Sequence, residues 1–370
     1  MSRFPTPLDC VQNIASYQPG KPIEELAREL SLDPETIVKL ASNENPLGCS
    51  ELVAQEVSRE LSEVARYPDG GGYILKNRLS SKLGIPLDSL ILGNGSNDIL
   101  EMAAIAFLDH DRSAIYSEFC FVVNKLATQT RAAEGIEVRS MSYGHDLERM
   151  YDAIRDDTRI IFISNPNNPT GTFIPPTEIL RFIESVPEHI LVILDEAYYE
   201  YLPENLQSDS VNWIKRFPNL LVTRTFSKIY GLASFRVGYG MANPSLAEVL
   251  NRVRQPFNVN SYGLAAAAAA LSDDAFVRAS VQANNIGMRQ LVSVAEKLEL
   301  AYIPSHGNFL TIEFKQAGIE VYTKLLERGI IVRPLGGYGL PYHLRVSVGL
   351  ESENERFCVA LESLINSLAD

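Results

Sequence analysis

Residues 190–199 read ILVILDEAYY. Five apolar residues, Ile190 to Leu194, follow one another, and the run ends at a carboxylate, Asp195, with Tyr198 three residues on. A strand with one wet face alternates apolar and polar residues. A continuous run must be covered on both faces, as in a parallel sheet wound with helices. Three other stretches repeat the pattern: 90-LILGNGSND-98, 160-IIFISNPNN-168 and 220-LLVTRTFSK-228. Each closes on polar or glycine residues, and helical periodicity separates them. The alternation predicts an α/β fold with a mostly parallel sheet. Ligands in such folds lie beyond the carboxyl ends of the strands, so the residues that close the runs sample one site.

The first run closes on Gly93-Asn94-Gly95-Ser96-Asn97-Asp98 and opens a helix. Backbone N–H groups at Gly95, Ser96 and Asn97, with the positive end of the helix dipole, suit a phosphate. Taken alone, Ser96 and Asn97 are equally ordinary helix caps. Neither GK[ST] nor GxGxxG is present, which disfavours nucleoside triphosphates and dinucleotides. The second run closes on 164-SNPNNPTG-171, where two Asn-Pro steps and a Pro-Thr-Gly turn present Asn168 as a rigid donor. In the third, Asp195 must be paired or hydrogen-bonded to stay charged at a buried strand end. Tyr198 shares that crevice or packs in the core. The fourth closes on Thr225, Ser227 and Lys228, with Arg236 eight residues further.

Singly these are weak signals, but together they match the polar groups of pyridoxal 5′-phosphate. The cradle, Thr225, Ser227 and Arg236 would hold the phosphate. Asp195 would keep the pyridine nitrogen protonated, so that the ring accepts electrons from the substrate's Cα. Asn168 and Tyr198 would hydrogen-bond the phenolic oxygen. Lys228 would bond covalently to the cofactor and then move the proton.

Composition agrees. Of the 370 residues 46% are hydrophobic and 21% charged, ordinary for a globular chain with a sizeable core. A net charge of −13 and a pI near 5.0 argue against a nucleic-acid surface. No apolar run reaches the roughly 18–20 residues of a spanning helix. The N-terminal MSRFPTPLDC lacks the apolar stretch of a secretory signal. Four scattered cysteines read as free thiols of a reducing compartment, and five histidines show no metal-ligand spacing. A cytoplasmic enzyme without a metal is expected. The last hundred residues differ: a helix near 272–300, strands at 309–314, 330–334 and 343–349, and a terminal helix over 351–368. They predict a smaller α+β unit joined by the N-terminus, with residues 1–40 and 270–370 forming it and residues 41–269 the larger unit.

The segments NPNNPTG, LDEAYYEY and TFSKIYGLASFRVGY resemble fold-type I aminotransferases of class I/II. Further stretches, 41-ASNENPLG-48, 66-RYPDG-70, GNGSNDILE and 333-RPLGGYGLPYHLRVSVG-349, are similar to the histidinol-phosphate aminotransferase branch over nearly the whole chain. The resemblance implies a large pyridoxal-phosphate domain with a seven-stranded sheet, a small domain made from both termini, and a homodimer. It implies an amino donor and a 2-oxo acid as substrates, histidinol phosphate and 2-oxoglutarate first, with Tyr67 reaching the phosphate of the partner subunit's cofactor. Arg345 would clamp the substrate's carboxylate or phosphate, helped by Arg333, Tyr17 and Asn45, with Asn308 near that group. Phe119 would stack on the cofactor ring where tyrosine is usual, and Asn124 and Phe257 stand where relatives carry tyrosines. The loss of hydroxyls leaves open an aromatic amino-acid aminotransferase. A decarboxylase of a phosphorylated amino acid is a further alternative.

Overall fold

The computed structural model describes residues 5–16 and 20–369. All four runs are strands: Leu90–Gly93 (β1), Thr158–Ser164 (β4), Leu191–Asp195 (β5) and Leu220–Thr225 (β6). Ser113–Ser117 (β2), Glu134–Val138 (β3) and Gly238–Ala242 (β7) complete a seven-stranded sheet in the order β1-β7-β6-β5-β4-β2-β3. Strand β7 runs antiparallel to both its neighbours and the other pairs are parallel.

Alternate residues of the central strands enter two different cores. Ile161, Ile163, Val192, Leu194 and Val222 face one; Ile160, Phe162, Leu191, Ile193 and Leu221 face the other. Both faces are therefore dry, which is why the runs are continuous. Each such side chain contributes about 1.5–3 kcal/mol of burial. The edge strand β3 instead exposes Glu134 and Glu137, charges that discourage pairing with another chain.

A second, antiparallel sheet has the order β10-β11-β9-β8, from Tyr302–Ile303 (β8), Phe309–Glu313 (β9), Arg333–Pro334 (β10) and His343–Ser347 (β11). Its Leu310, Ile312, Leu344 and Val346 share a core with Leu291 and Val294 of the helix Asp274–Lys297 and with Phe357 of Glu351–Ala369. The 24-residue helix begins where Asp273 accepts from the Phe276 N–H at 2.9 Å. Near the N-terminus, Val38–Lys39 pairs in parallel with Ile330–Ile331, and Leu26 and Ala27 of the helix Ile23–Leu30 pack on Ile331. That pairing supports the division we propose, with the N-terminal segment joining the C-terminal unit. The chain then passes between the two sheets: the Ser347 N–H donates to the Leu40 carbonyl at 2.8 Å, and Asn308 Nδ2 to that of Asn43 at 3.0 Å. Among the described residues no helix is long and apolar enough to cross a membrane.

Candidate active site

At the carboxyl ends of β1, β4, β5 and β6 lies a cavity of about 270 Å³, closed on its far side by residues 41–44 and by β10 and β11. Ser96, Asn97, Asn168, Asp195, Tyr198, Thr225, Ser227, Lys228 and Arg236 line it from the large sheet, and Arg333 and Arg345 from the small one. The chain ends of separate strands thus meet in one space, as the winding of the sheet requires.

One end is built for an anion. The helix Ser96–Phe107 starts here, preceded by Gly95 at φ +82°. A Cβ on Gly95 would lie 2.5 Å from Arg236 Nη2, and one on Gly238 only 2.3 Å from the Ser96 nitrogen. Glycine at both positions lets the guanidinium and the helix N-terminus converge. Arg236 Nη1 donates to Ser227 Oγ at 3.3 Å and to the Ala233 carbonyl at 3.1 Å, and the Ser227 N–H donates to Thr225 Oγ1 at 3.1 Å. The first-turn carboxylate, Asp98, is engaged by the Asn94 N–H (2.8 Å) and Asn258 Nδ2 (2.7 Å). The Gly95 N–H is committed to the Gly93 carbonyl at 2.8 Å, so it is the helix start at Ser96 and Asn97, a guanidinium and two hydroxyls that suit a phosphate here.

Asp195 is buried at the end of β5, where Thr223 Oγ1 donates to it at 3.0 Å. Burial pushes its carboxyl up to about 6, against the pull of Thr223 and the Ala197 N–H. Burial also brings the Lys228 ammonium down to about 8, aided by Arg345 and Arg236, while Glu44 and Asp195 oppose the shift. Lys228 Nζ donates to the Ser42 carbonyl at 3.3 Å and stands 5.8 Å from the Tyr198 ring centroid. The Tyr198 phenol, pushed up to about 12 by burial, accepts from Asn43 Nδ2 at 2.9 Å. Its ring meets Phe309 edge-on at 5.4 Å. Arg345 donates through Nη1 to Asn168 Oδ1 and through Nη2 to the Ala41 carbonyl (2.8 Å), with its guanidinium 5.3 Å above the Phe309 ring.

Some expectations need correction. Phe119 does not line the cavity: its ring packs against Leu335 and Leu340, and its carbonyl accepts from Asn167 Nδ2 at 2.7 Å. The aromatic wall is Phe121, at the start of the helix Val122–Thr130. Asn45 is committed elsewhere, donating to the Ile229 carbonyl (2.7 Å) and to Ser280 Oγ (2.8 Å), so it braces the turn after Lys228. Its neighbours Asn43 and Glu44 line the cavity instead. Asn308 acts through the backbone of residues 43 and 44 rather than from the cavity wall. Tyr338, inside the quoted RPLGGYGLPYHLR stretch, is a lining residue that the sequence reading left without a role. Tyr67 lies away from this cavity, 83% exposed and stacked on Phe257 at 4.8 Å. Asn124 is buried, and among the described residues its amide has no hydrogen-bond partner. Tyr17 lies outside the described residues.

The chain belongs to the aminotransferase class I and II family, whose profile matches residues 35–361. It is 51% identical to histidinol-phosphate aminotransferase 2 of Nitrosospira multiformis over 364 residues, 97% of this chain and 93% of that protein. Against histidinol-phosphate aminotransferase 1 of Thiobacillus denitrificans the identity is 54% over 355 residues, 96% and 92% of the two chains. The crystal structure of histidinol-phosphate aminotransferase from Sinorhizobium meliloti in complex with pyridoxal-5′-phosphate superposes with a TM-score of 0.90 at 25% identity, covering 100% of this chain and 99% of that one.

Proposed function

We propose that this chain transfers the amino group of histidinol phosphate to 2-oxoglutarate, giving imidazole acetol phosphate and glutamate, with pyridoxal 5′-phosphate as its cofactor. One observation carries the reading. An amine, a buried carboxylate and an anion cradle share a cavity whose other wall is a pair of arginines, in a chain 51–54% identical, over nearly its full length, to histidinol-phosphate aminotransferases. The residues present fit the cofactor: the cradle that a Cβ at Gly95 or Gly238 would fill suits its phosphate, and Asp195 suits its pyridine nitrogen. When bound, the cofactor supplies an electron sink for the pair left as the substrate's Cα loses a proton.

In this reading Ser96, Asn97, Thr225, Ser227 and Arg236 hold the phosphate. Asp195 would stay ionised and keep the pyridine nitrogen protonated, Asn168 and Tyr198 would hold the phenolic oxygen, and Phe121 would cover the ring. Lys228 Nζ takes the Cα proton and returns it. An amine brought down to about 8 has its neutral, basic form within reach near neutral pH. Arg345 receives either the phosphate of one substrate or the carboxylate of the other, because its planar fork pairs bidentately with both. Its anchors on Asn168 and Ala41 fix that fork in place.

The test is to compare kcat/KM for histidinol phosphate and for phenylalanine, each with 2-oxoglutarate. The former should exceed the latter by at least about tenfold, a difference of roughly 1.4 kcal/mol. Equal values would favour an aromatic amino-acid aminotransferase, and release of CO₂ instead of glutamate would favour a decarboxylase. Arg345→Lys should raise KM for histidinol phosphate and glutamate together, by about 10- to 100-fold, the scale of one or two hydrogen bonds to a charged group. A rise for only one of them would assign the two anions to separate anchors.

The working form we propose is a cytoplasmic homodimer. Leu61, Val64, Tyr67, Tyr73, Ile74 and Phe257 are all exposed, and Tyr67 and Phe257 stack on each other at 4.8 Å, apolar side chains that a partner subunit can cover. A second copy would cover it and receive the Tyr67 hydroxyl at its cofactor phosphate. Sedimentation equilibrium should give twice the 41.0 kDa chain mass at micromolar concentration, and Tyr67→Phe should weaken cofactor retention without dissociating the dimer. A monomer of full activity would sink this assignment.

A further inference from the structure

A second cavity, of about 440 Å³, opens on the opposite face of the large sheet from the first. Thr225 of β6 lines the first and Arg224, next to it, lines the second, since successive side chains of a strand point to opposite faces. The walls of this second cavity come from the helices Tyr73–Leu83 and Ser210–Arg216, the start of Asp274–Lys297, and the segment after β5.

Its charges are unbalanced. Arg224 is spent on Glu196, with Nη2 to Oε2 at 2.8 Å, and lies 3.5 Å over the Tyr199 ring. At the rim Lys82 pairs with Asp274 at 2.6 Å, and Asp209 accepts from Asn212 at 2.8 Å. Glu200 remains: among the described residues its carboxylate makes no ion pair and no side-chain hydrogen bond, although it lines the cavity. Tyr230, only 5% exposed, lines the same cavity, and among the described residues its hydroxyl makes no hydrogen bond. Tyr239, 3% exposed, adds a third aromatic wall. A carboxylate, a buried phenolic oxygen and tyrosine faces recognise a cation, through charge, hydrogen bonding and the ring quadrupole. The packing of Arg224 on Tyr199 already accommodates one guanidinium in these surroundings.

We propose that this cavity is a binding site for a small organic cation with a planar amidinium or guanidinium head, held between the Glu200 carboxylate and the Tyr230 hydroxyl. With no cation bound, burial pushes the Glu200 carboxyl up to about 7; Arg224 draws it down and Glu196 raises it further. Cation and proton therefore compete for Glu200. The affinity is level above about pH 7 and falls roughly tenfold per pH unit below it.

The test uses the holoenzyme and benzamidine, which carries no primary amine to condense with the active-site cofactor. Calorimetric titration at about pH 8 should show one binding site per chain, unaffected by saturating 2-oxoglutarate, with affinity falling tenfold or more by about pH 6. Benzamide, the neutral isostere, should bind at least tenfold more weakly, and Glu200→Gln should lose at least tenfold in benzamidine affinity. Tyr230→Phe, which removes only the hydroxyl, should weaken binding severalfold and serves as well should the Glu200 variant misfold. Equal affinity for benzamidine and benzamide, a pH-independent affinity, or competition by 2-oxoglutarate would each overturn the proposal, as would no binding at millimolar benzamidine.

Discussion

A Lys228→Ala protein is expected to lose amino transfer by at least about 10⁴-fold, the upper range for a single positioned proton-transfer group. Four cations line the cavity among the described residues: Lys228, Arg236, Arg333 and Arg345. Arginine does not give up its proton in a protein, so Lys228 is the one member able to act as an amine and a base. Its surroundings favour that use, because burial and two neighbouring guanidiniums disfavour the ammonium. The cradle at Ser96, Ser227 and Arg236 does not depend on Lys228, so the variant should still retain the cofactor through its phosphate. Loss of turnover with retention of the chromophore is the expected combination. Borohydride treatment of the wild type should fix the cofactor to the peptide carrying Lys228, as read by mass spectrometry, and leave the variant unlabelled. An alanine protein that transfers amino groups within tenfold of wild type would remove Lys228 from the chemistry.

The strands that carry this site were legible because both their faces are dry. Ile160–Ser164, Leu191–Asp195 and Leu220–Thr225 are all buried, and the polar residues they hold, such as Thr223 and Arg224, are paired with Asp195 and Glu196 at the end of the neighbouring strand. Strand β7 was hidden for a physical reason. Its GYGMA composition reads as a loop, yet Gly238 and Gly240 are small because the helix Ser96–Phe107 crosses there, with Ser96 and Ile99 where a Cβ would stand. Strand β3 was missed because an edge strand shows water the residues of a surface segment. Two of the corrections in the site share a form. Phe121 rather than Phe119, and Asn43 rather than Asn45, are displacements by two residues within stretches correctly placed at the cavity. Motif spelling locates such a stretch, but which residue turns inward depends on backbone detail. Asn43 is an instance: its φ of +55°, tolerated by asparagine better than by most residues, aims its amide at Tyr198. Arg345 was easier, since strand alternation places it opposite Leu344 and Val346, which enter the core.

Asp195→Asn should separate stability from function. Activity is expected to fall about 10²- to 10⁴-fold, because breaking a buried charge pair costs roughly 3–5 kcal/mol and the neutral amide no longer holds a proton on the pyridine nitrogen. In the cofactor-free protein the same substitution should stabilise. The folded-state carboxyl is raised from 3.8 to about 6 by burial. Between those values the native chain holds a proton that the unfolded chain has released, so stability declines as pH rises through that window and stays lower above it. At about 1.4 kcal/mol per unit, the ionised carboxylate costs the empty protein roughly 3 kcal/mol near neutral pH. Asparagine removes the charge and can still accept from Thr223, so thermal denaturation of the cofactor-free proteins at about pH 7 should place the variant above wild type, with the gap closing toward pH 4. Loading the cofactor should reverse the order, since a pyridinium then pairs with the carboxylate in wild type alone. An asparagine protein that is no more stable when empty would mean the carboxylate is already compensated by the chain. One that keeps full activity would mean that it has no part in the electron sink.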